Sequence, residues 1–121
     1  MKTEKESLDH IGIAVNNLDE GKQFYLALGF SEMYVEEVPT EKVRVGMFEL
    51  KNQARIELLE PMDESSPIHK FLQKRGPGIH HICLKVNDIE EKISQLKSSG
   101  VQLINEEPKP GAHNCKIAFV H

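Results

Sequence analysis

The chain has 121 residues, 39% hydrophobic and 28% charged, which is typical of one compact domain with its own core. Its formal net charge is -4 and its Lys and Arg residues are scattered, which disfavours nucleic-acid binding. No apolar run approaches the roughly 20 residues of a membrane helix, and no apolar segment follows the charged start MKTEKES, so we predict a cytoplasmic protein without a membrane anchor.

The predicted elements form one pattern that occurs twice along the chain. Sliding the sequence over itself by the 71 positions that separate His10 from His81 aligns HIGIAVNNLDEGKQFYLALGF with HICLKVNDIEEKISQLKSSGV. Each copy reads as an alternating strand, a capped helix, a glycine stop and a further strand. The repeat therefore predicts two related modules.

The first module is predicted to cover about residues 7–60 in the order βαβββ. After the first strand, Asn17 is expected to cap a helix from about Leu18 to Leu28, which Gly29 ends. Further strands are expected at about residues 30–37, 43–50 and 54–60. Residues 61–78 then form a connector, with one or two helical turns from Pro67 to Lys74.

The second module is predicted to cover residues 79–121. It begins with a strand at Ile79, continues with a helix of about residues 89–99 capped by Asp88, and adds strands near 101–107 and from 115 onward. The last strand of the first module has no counterpart before His121, so we expect this module to be incomplete at its C-terminal side. The predicted fold is a single α+β domain of tandem βαβββ modules that form a curved mixed sheet around a metal pocket.

Strand alternation brings the two repeated histidines to equivalent positions. His10 shares one strand face with Gly12 and Ala14, whereas the large aliphatic residues of that strand occupy the other face and must contact the helix. The same count places His81 on the helix-free face of its strand and His80 on the opposite face. If the modules pair about a pseudo-twofold axis, His10 and His81 converge on one concave surface.

A carboxylate on the last strand of the first module completes a candidate metal site. In ARIELLEP, alternation places Glu57 on the face opposite Ile56 and Leu58, where a buried carboxylate needs a cationic partner. The repeat predicts a fourth ligand 71 positions after Glu57, near position 128. Two histidines with one or two carboxylates suit divalent Zn, Co, Mn, Ni or Fe.

Plainer interpretations of the same residues stay open. A single histidine at a strand start is more often a surface or hydrogen-bonding residue, and Glu57 could pair with Arg55 or Arg44. His113 lies in a Pro/Gly loop, where it could be a solvated turn residue or part of a loop that covers a pocket. Cys83 shares the His81 face but is read as a small packing residue.

The stretches LDHIGIAV, IELLEP and SPIHKFLQKRGPGIHHICLKV resemble the vicinal oxygen chelate superfamily, and within it the methylmalonyl-CoA epimerase family. The resemblance covers nearly the whole chain. It implies that His10, Glu57 and His81 are metal ligands, with a fourth ligand beyond His121. Some epimerases carry a glutamate base on the third strand, and the matching residue of this chain is Val45.

The resemblance implies epimerisation of (2R)- and (2S)-methylmalonyl-CoA. A divalent ion (Co, Zn, Mn or Ni) would stabilise the enolate that forms when the α-proton leaves. One group must take the proton and another must return it. A glutamate beyond His121 is the expected partner on one side, and Glu57, His113 and a metal-bound water are the candidates for the other.

The implied partners are an acyl-CoA substrate and a second copy of the chain in a homodimer, with neither nucleic acid nor membrane. Two other functions fit the same fold. One is a different reaction of the superfamily, either a glyoxalase I-like isomerase or an iron-dependent extradiol dioxygenase. The other is a non-enzymatic module that binds a small molecule without metal.

Overall fold

The computed structural model describes residues 6–121, apart from the side chain of His113. Contacts divide the chain into two compact units. One contains residues 8–84, and the other contains residues 85–121 together with the described residues Glu6 and Ser7. The elements in chain order are β1 (Ser7–Ala14), α1 (Leu18–Ala27), β2 (Tyr34–Val38), β3 (Val43–Glu49), β4 (Arg55–Pro61), α2 (Pro67–Arg75), β5 (Gly78–Lys85), α3 (Ile89–Ser98), β6 (Lys109–Pro110), a 3₁₀ turn (Ala112–Asn114) and β7 (Lys116–Ile117).

The first unit contains a five-stranded mixed sheet in the order β2-β3-β4-β1-β5. Strand β1 runs parallel to β4, whereas β3 is antiparallel to both β2 and β4. A parallel pair needs a long crossover, and α1, β2 and β3 lie between β1 and β4 in the chain. The sheet and its helices confirm the predicted α+β class and the βαβββ order of the first module.

Helix α1 begins where its first backbone donors find acceptors. The Asn17 side chain accepts a hydrogen bond from the Glu20 N–H at 2.7 Å, and a Glu60 carboxylate oxygen on β4 accepts the Leu18 N–H at 2.8 Å. The helix ends before Gly29, whose φ of 104° suits glycine. Glu60 therefore fixes the start of the helix to the sheet, and the predicted bounds hold to within one residue.

The core of this unit lies between α1 and one face of the sheet. Leu18 of α1 joins Val15, Phe48 and Leu58 in a buried cluster, around which pack Ile13, Tyr25, Phe30, Met33 and Ile56. Ile13, Phe48 and Leu58 lie on three different strands and pack together in this core. Replacing any one of them with alanine would leave a cavity and lower the free energy of unfolding by about 2–5 kcal/mol. The opposite face of the sheet carries His10 and Glu57 together with the buried apolar side chains of Val45, Met47 and Leu59.

The strand predicted at residues 30–37 is shorter than expected, because β2 covers only Tyr34–Val38. The Phe30 N–H bonds to the Tyr25 carbonyl at the end of α1, and both Phe30 and Met33 pack against the core cluster. This segment therefore closes the helix end before the chain enters the sheet.

The second unit contains α3, which Asp88 caps through the Glu91 N–H at 3.1 Å. Lys92 of α3 forms an ion pair with Glu6 at 2.8 Å. The strand predicted at residues 101–107 is wrong, because only Leu103 forms a bridge there, with Val120. The Asn105 side-chain oxygen accepts the Phe119 N–H and so replaces the next ladder bond. The strand expected from residue 115 is reduced to β7, paired with β6.

The described part of the chain contains no helix with both the length and the apolar character that a membrane crossing requires.

Candidate functional site

Three adjacent strands of the first unit supply the site. His10 is on β1, Glu57 is on β4, and His81 is on β5, the strand beside β1. In the parallel β1–β4 ladder, His10 lies opposite Arg55 and Gly12 opposite Glu57, so these four residues share a face. Met47 of β3 is paired with Glu57. This is the face opposite α1, where alternation predicted it.

The structure brings His10, Glu57 and His81 together. His10 Nε2 lies 3.0 Å from His81 Nε2 and 3.4 Å from Glu57 Oε1. Glu57 is 3% exposed, which makes it one of the few buried charged residues of the described chain. Three potential ligand groups thus meet at His10 Nε2.

Gly12 makes room for the His81 imidazole. A Cβ atom at residue 12 would lie 2.3 Å from His81 Cε1 and 2.7 Å from its Nδ1, closer than any real Cβ contact. The glycine is therefore required by the ring that covers it. This role was not identified from the sequence, although a glycine inside a strand often marks a position where another group approaches the backbone closely.

Asp9 and Arg55 form a charged network behind the ligand groups. Asp9 Oδ2 accepts hydrogen bonds from His10 Nδ1 at 2.8 Å and from the Arg55 guanidinium at 2.7 Å. Arg55 Nε also donates to Glu57 Oε2 at 3.0 Å. Two carboxylates against one guanidinium leave the network with one excess negative charge. Sequence reasoning considered Arg55 only as an alternative partner for Glu57 and missed Asp9.

Burial and charge shift the acidities of this network. Partial burial opposes ionisation of Asp9, but the hydrogen bond from His10 and the charge of Arg55 outweigh it, so the pKa of Asp9 lies below its usual value. Burial likewise opposes the charge of Arg55, and the hydrogen bonds and charges of Glu57 and Asp9 overcome it and raise the pKa of Arg55. Both groups stay charged.

Burial keeps His81 neutral. It lowers the pKa of His81 to about 4, and repulsion from His10 and His80 adds to the effect. The pKa of His80 is also lowered by burial. A neutral imidazole has a free ring-nitrogen lone pair, which is the form that binds metal.

His80 contacts His81 although strand alternation assigns the two residues to opposite faces of β5. Its Nδ1 lies 2.9 Å from His81 Nδ1, and its ring packs edge-on against Phe71 of α2 at 4.9 Å between ring centres. The packing against Phe71 places the His80 ring where it reaches its neighbour. Strand periodicity predicts the face of the sheet on which a side chain begins. It does not predict the side-chain torsions that decide where the ring lies.

The donor set of the site fits a divalent cation. If His10 donates its Nδ1 proton to Asp9 and His81 donates its Nδ1 proton to His80, both Nε2 lone pairs face each other at 3.0 Å. A cation or one shared proton is needed between them. Metal bonds of about 2.1 Å place neighbouring ligands about 3 Å apart, so His10, His81 and Glu57 could hold Zn²⁺ or a similar ion.

Asp9, His10 and Cys83 form a second group of potential metal ligands. Atoms of Asp9, His10 and Cys83 all fall within 4.8 Å of one another. Arg55 already donates to Asp9, and its charge repels a cation at that position. The Nε2 side of His10, where His81 Nε2 and Glu57 Oε1 also lie, is the better metal position.

Two further residues singled out from the sequence are placed differently. Val45, where some epimerases have a glutamate, is 2% exposed on β3 and pairs with Leu59. His113 belongs to the 3₁₀ turn, and its side chain lies outside the described part of the chain.

The chain is similar to known proteins over most of its length. The sequence profile of the Glyoxalase/Bleomycin resistance protein/Dioxygenase superfamily matches residues 9–119. An ethylmalonyl-CoA/methylmalonyl-CoA epimerase of Cereibacter sphaeroides is 39% identical over 117 residues, which cover 94% of this chain and 87% of that protein.

Two solved structures are similar throughout. A hypothetical protein of Bacillus halodurans has a TM-score of 0.92 and 46% identity, covering 98% of this chain and 86% of its own. A Streptomyces coelicolor methylmalonyl-CoA epimerase variant in complex with 2-nitronate-propionyl-CoA has a TM-score of 0.87 and 33% identity, with 95% and 86% covered. These matches confirm the resemblance predicted from the motifs, and the chain belongs to the Glyoxalase/Bleomycin resistance protein/Dioxygenase superfamily.

Proposed function

We propose that the protein is a metal-dependent epimerase that interconverts (2R)- and (2S)-methylmalonyl-CoA. A single observation carries this proposal in a chain that is similar to epimerases. His10 Nε2 lies 3.0 Å from His81 Nε2 and 3.4 Å from Glu57 Oε1, so three potential metal ligands meet. A site of this kind suits a substrate whose carbonyl oxygens become negatively charged during the reaction.

We propose His10, His81 and Glu57 as the ligands of a divalent ion such as Co, Zn, Mn or Ni. When bound, such an ion would supply Lewis acidity, which stabilises negative charge on the thioester oxygen as the α-proton leaves. Asp9 and His80 would hold the two imidazoles with their Nε2 atoms toward the ion. Arg55 would hold Glu57 and balance its charge.

Glu57 and His113 remain the candidates for proton transfer among residues of this chain. Glu57 Oε1 faces the site, and its other oxygen accepts from Arg55, so one oxygen can face the substrate while the other fixes the side chain. Buried Met47 and Val45 of β3 lie on the same face and would keep water from the reacting carbon. We also propose that the protein works as a cytoplasmic homodimer.

Exchange of the α-proton tests this function. The protein with Co²⁺ or Zn²⁺ is incubated with (2R)-methylmalonyl-CoA in D₂O, and deuterium uptake and formation of the (2S) isomer are followed by NMR and chiral analysis. We expect metal-dependent exchange that EDTA abolishes. An absence of exchange with either metal would overturn the proposal.

His81→Ala is the matched variant, and Lys22→Ala on α1 is the control. His81→Ala should lose exchange and metal binding together, whereas Lys22→Ala should retain both. Full exchange by His81→Ala would contradict the assignment of this ligand even if the reaction itself is observed.

A further inference from the structure

A cavity of the first unit lies beside α2 and carries a concentrated positive charge. Lys70, Phe71, Lys74, Arg75 and His80 line it, and we call it the cationic groove. Arg75 lies over the Phe71 ring at 5.9 Å from its centre, and His80 packs against the same ring at 4.9 Å. The groove thus combines an aromatic surface with three permanent positive charges.

The three cations of the groove are not neutralised by acidic side chains. No carboxylate belongs to its lining, and within residues 6–121 no ion pair involves Lys70, Lys74 or Arg75. Lys70 and Lys74 are four residues apart on one helix, where like charges repel. A protein with a net charge of -4 has concentrated positive charge at this point.

The helix itself accounts for only part of this arrangement. Lys74 and Arg75 are in the last turn of α2, where cations interact favourably with the helix dipole. Lys70 lies in the first half of the helix, where the dipole gives no such benefit. An anion bound in the groove would account for the positive charges of Lys70, Lys74 and Arg75 together.

The cationic groove connects to the candidate metal site through one residue. His80 lines the groove and places its Nδ1 2.9 Å from His81 Nδ1, while His81 Nε2 faces His10. A ligand with a reacting group at the metal site and an anionic group in the groove would pass His80. An acyl-CoA has this form, with a thioester at one end of a flexible pantetheine arm and phosphates at the other.

We propose that the cationic groove binds the phosphate-bearing nucleotide end of the acyl-CoA substrate, an inference that rests on the proposed function. Lys70, Lys74 and Arg75 would form charge-assisted hydrogen bonds to phosphate oxygens. Phe71 would offer an apolar surface to the adjoining part of the ligand. The groove then fixes the substrate by its remote end and leaves its thioester free to reach His10 and His81.

A comparison of two substrates tests this inference. Lys70→Gln, Lys74→Gln and Arg75→Gln are combined in one variant, since glutamine keeps a similar helix propensity. We expect KM for methylmalonyl-CoA to rise about tenfold or more, with kcat within about twofold. For methylmalonyl-pantetheine, which lacks the phosphates, KM should be unchanged. Thermal unfolding shows that the variant is folded.

Lys22→Ala, which changes a half-buried lysine of α1 outside the groove, is the matched control and should leave both KM values unchanged. Equal effects of the triple variant on both substrates, or none on either, would overturn the inference.

Binding of 3′,5′-ADP separates this inference from the proposed function. Calorimetry should show binding to the wild-type chain and a loss of about tenfold or more in the triple variant. If the wild-type chain epimerises neither thioester, the proposed function fails, whereas selective loss of 3′,5′-ADP binding still supports the groove. Equal binding by both proteins would overturn it.

Discussion

Each histidine of the candidate site has a partner at its Nδ1, on the side of the ring away from its Nε2. His10 Nδ1 bonds to Asp9, and His81 Nδ1 contacts His80. Partners of this kind fix the tautomer and the plane of a metal-binding imidazole. They determine whether two Nε2 atoms that are 3.0 Å apart both offer lone pairs.

Asp9→Asn tests this orienting role. The amide lacks the negative charge that holds the His10 proton on Nδ1, so we expect metal affinity to fall about 10–100-fold. Titration calorimetry with Zn²⁺ or Co²⁺ measures the change. Asp19→Asn, which alters an exposed aspartate paired with Lys22, is the control and should bind normally. Unchanged affinity in Asp9→Asn would show that Asp9 does not orient His10.

Gly12→Ala tests the packing of His81 over β1. The new Cβ would fall 2.3 Å from His81 Cε1, so the ring must move away from His10 Nε2. We expect metal affinity to fall more than tenfold and the free energy of unfolding to fall by about 1–3 kcal/mol. Calorimetry and urea unfolding measure the two effects. Normal metal affinity in a folded variant would contradict this placement of His81.

The sequence could predict which residues meet at the site, but not how they are held. The repeat and the strand alternation identified His10, His81 and Glu57 because both are periodic features of the chain. The contacts of Arg55 depend on the β1–β4 register, which places it opposite His10. The contact of His80 with its neighbour depends on side-chain torsions. Neither is a property of local sequence.

At the scale of elements, helices were predicted more accurately than strands because their ends are marked locally. Asn17 and Asp88 cap α1 and α3 through side-chain acceptors, and Gly29 and Gly100 follow them with positive φ. A strand exists only where a partner strand accepts its hydrogen bonds. Residues 101–107 have strand composition, yet the described chain pairs only Leu103.

Ser66→Ala tests the cap of the helix that carries the cationic groove. Ser66 is fully buried, and its hydroxyl accepts the Ile68 N–H at 3.2 Å. Alanine leaves that donor unpaired in an apolar setting, so we expect a loss of about 1–2 kcal/mol in the free energy of unfolding. Asn17→Ala removes an exposed cap and should cost less, because water can replace it. A smaller loss for Ser66→Ala than for Asn17→Ala would contradict this.

At the scale of the whole molecule, the neutral histidines couple folding to pH. The pKa of His81 is about 4 in the folded chain against an ordinary value of 6.5, and the pKa of His80 shifts in the same direction. Between these pH values the unfolded chain binds more protons than the folded one. The free energy of unfolding therefore falls as the pH decreases from about 6.5 toward 4. Above this range both histidines are neutral in the folded and the unfolded chain, and they cause no loss of stability.

The metal-free protein should show this dependence directly. In EDTA, the free energy of unfolding should fall by roughly 2 kcal/mol between pH 6.5 and 4, less than the full shift implies because His81 is partly exposed. His81→Asn should flatten the slope, whereas His69→Gln on α2 should preserve it. Asp9 cannot produce the effect in this range, since its pKa lies below its ordinary value of 3.8. An equal slope in the wild type and His81→Asn would show that burial of this imidazole is not what links folding to pH.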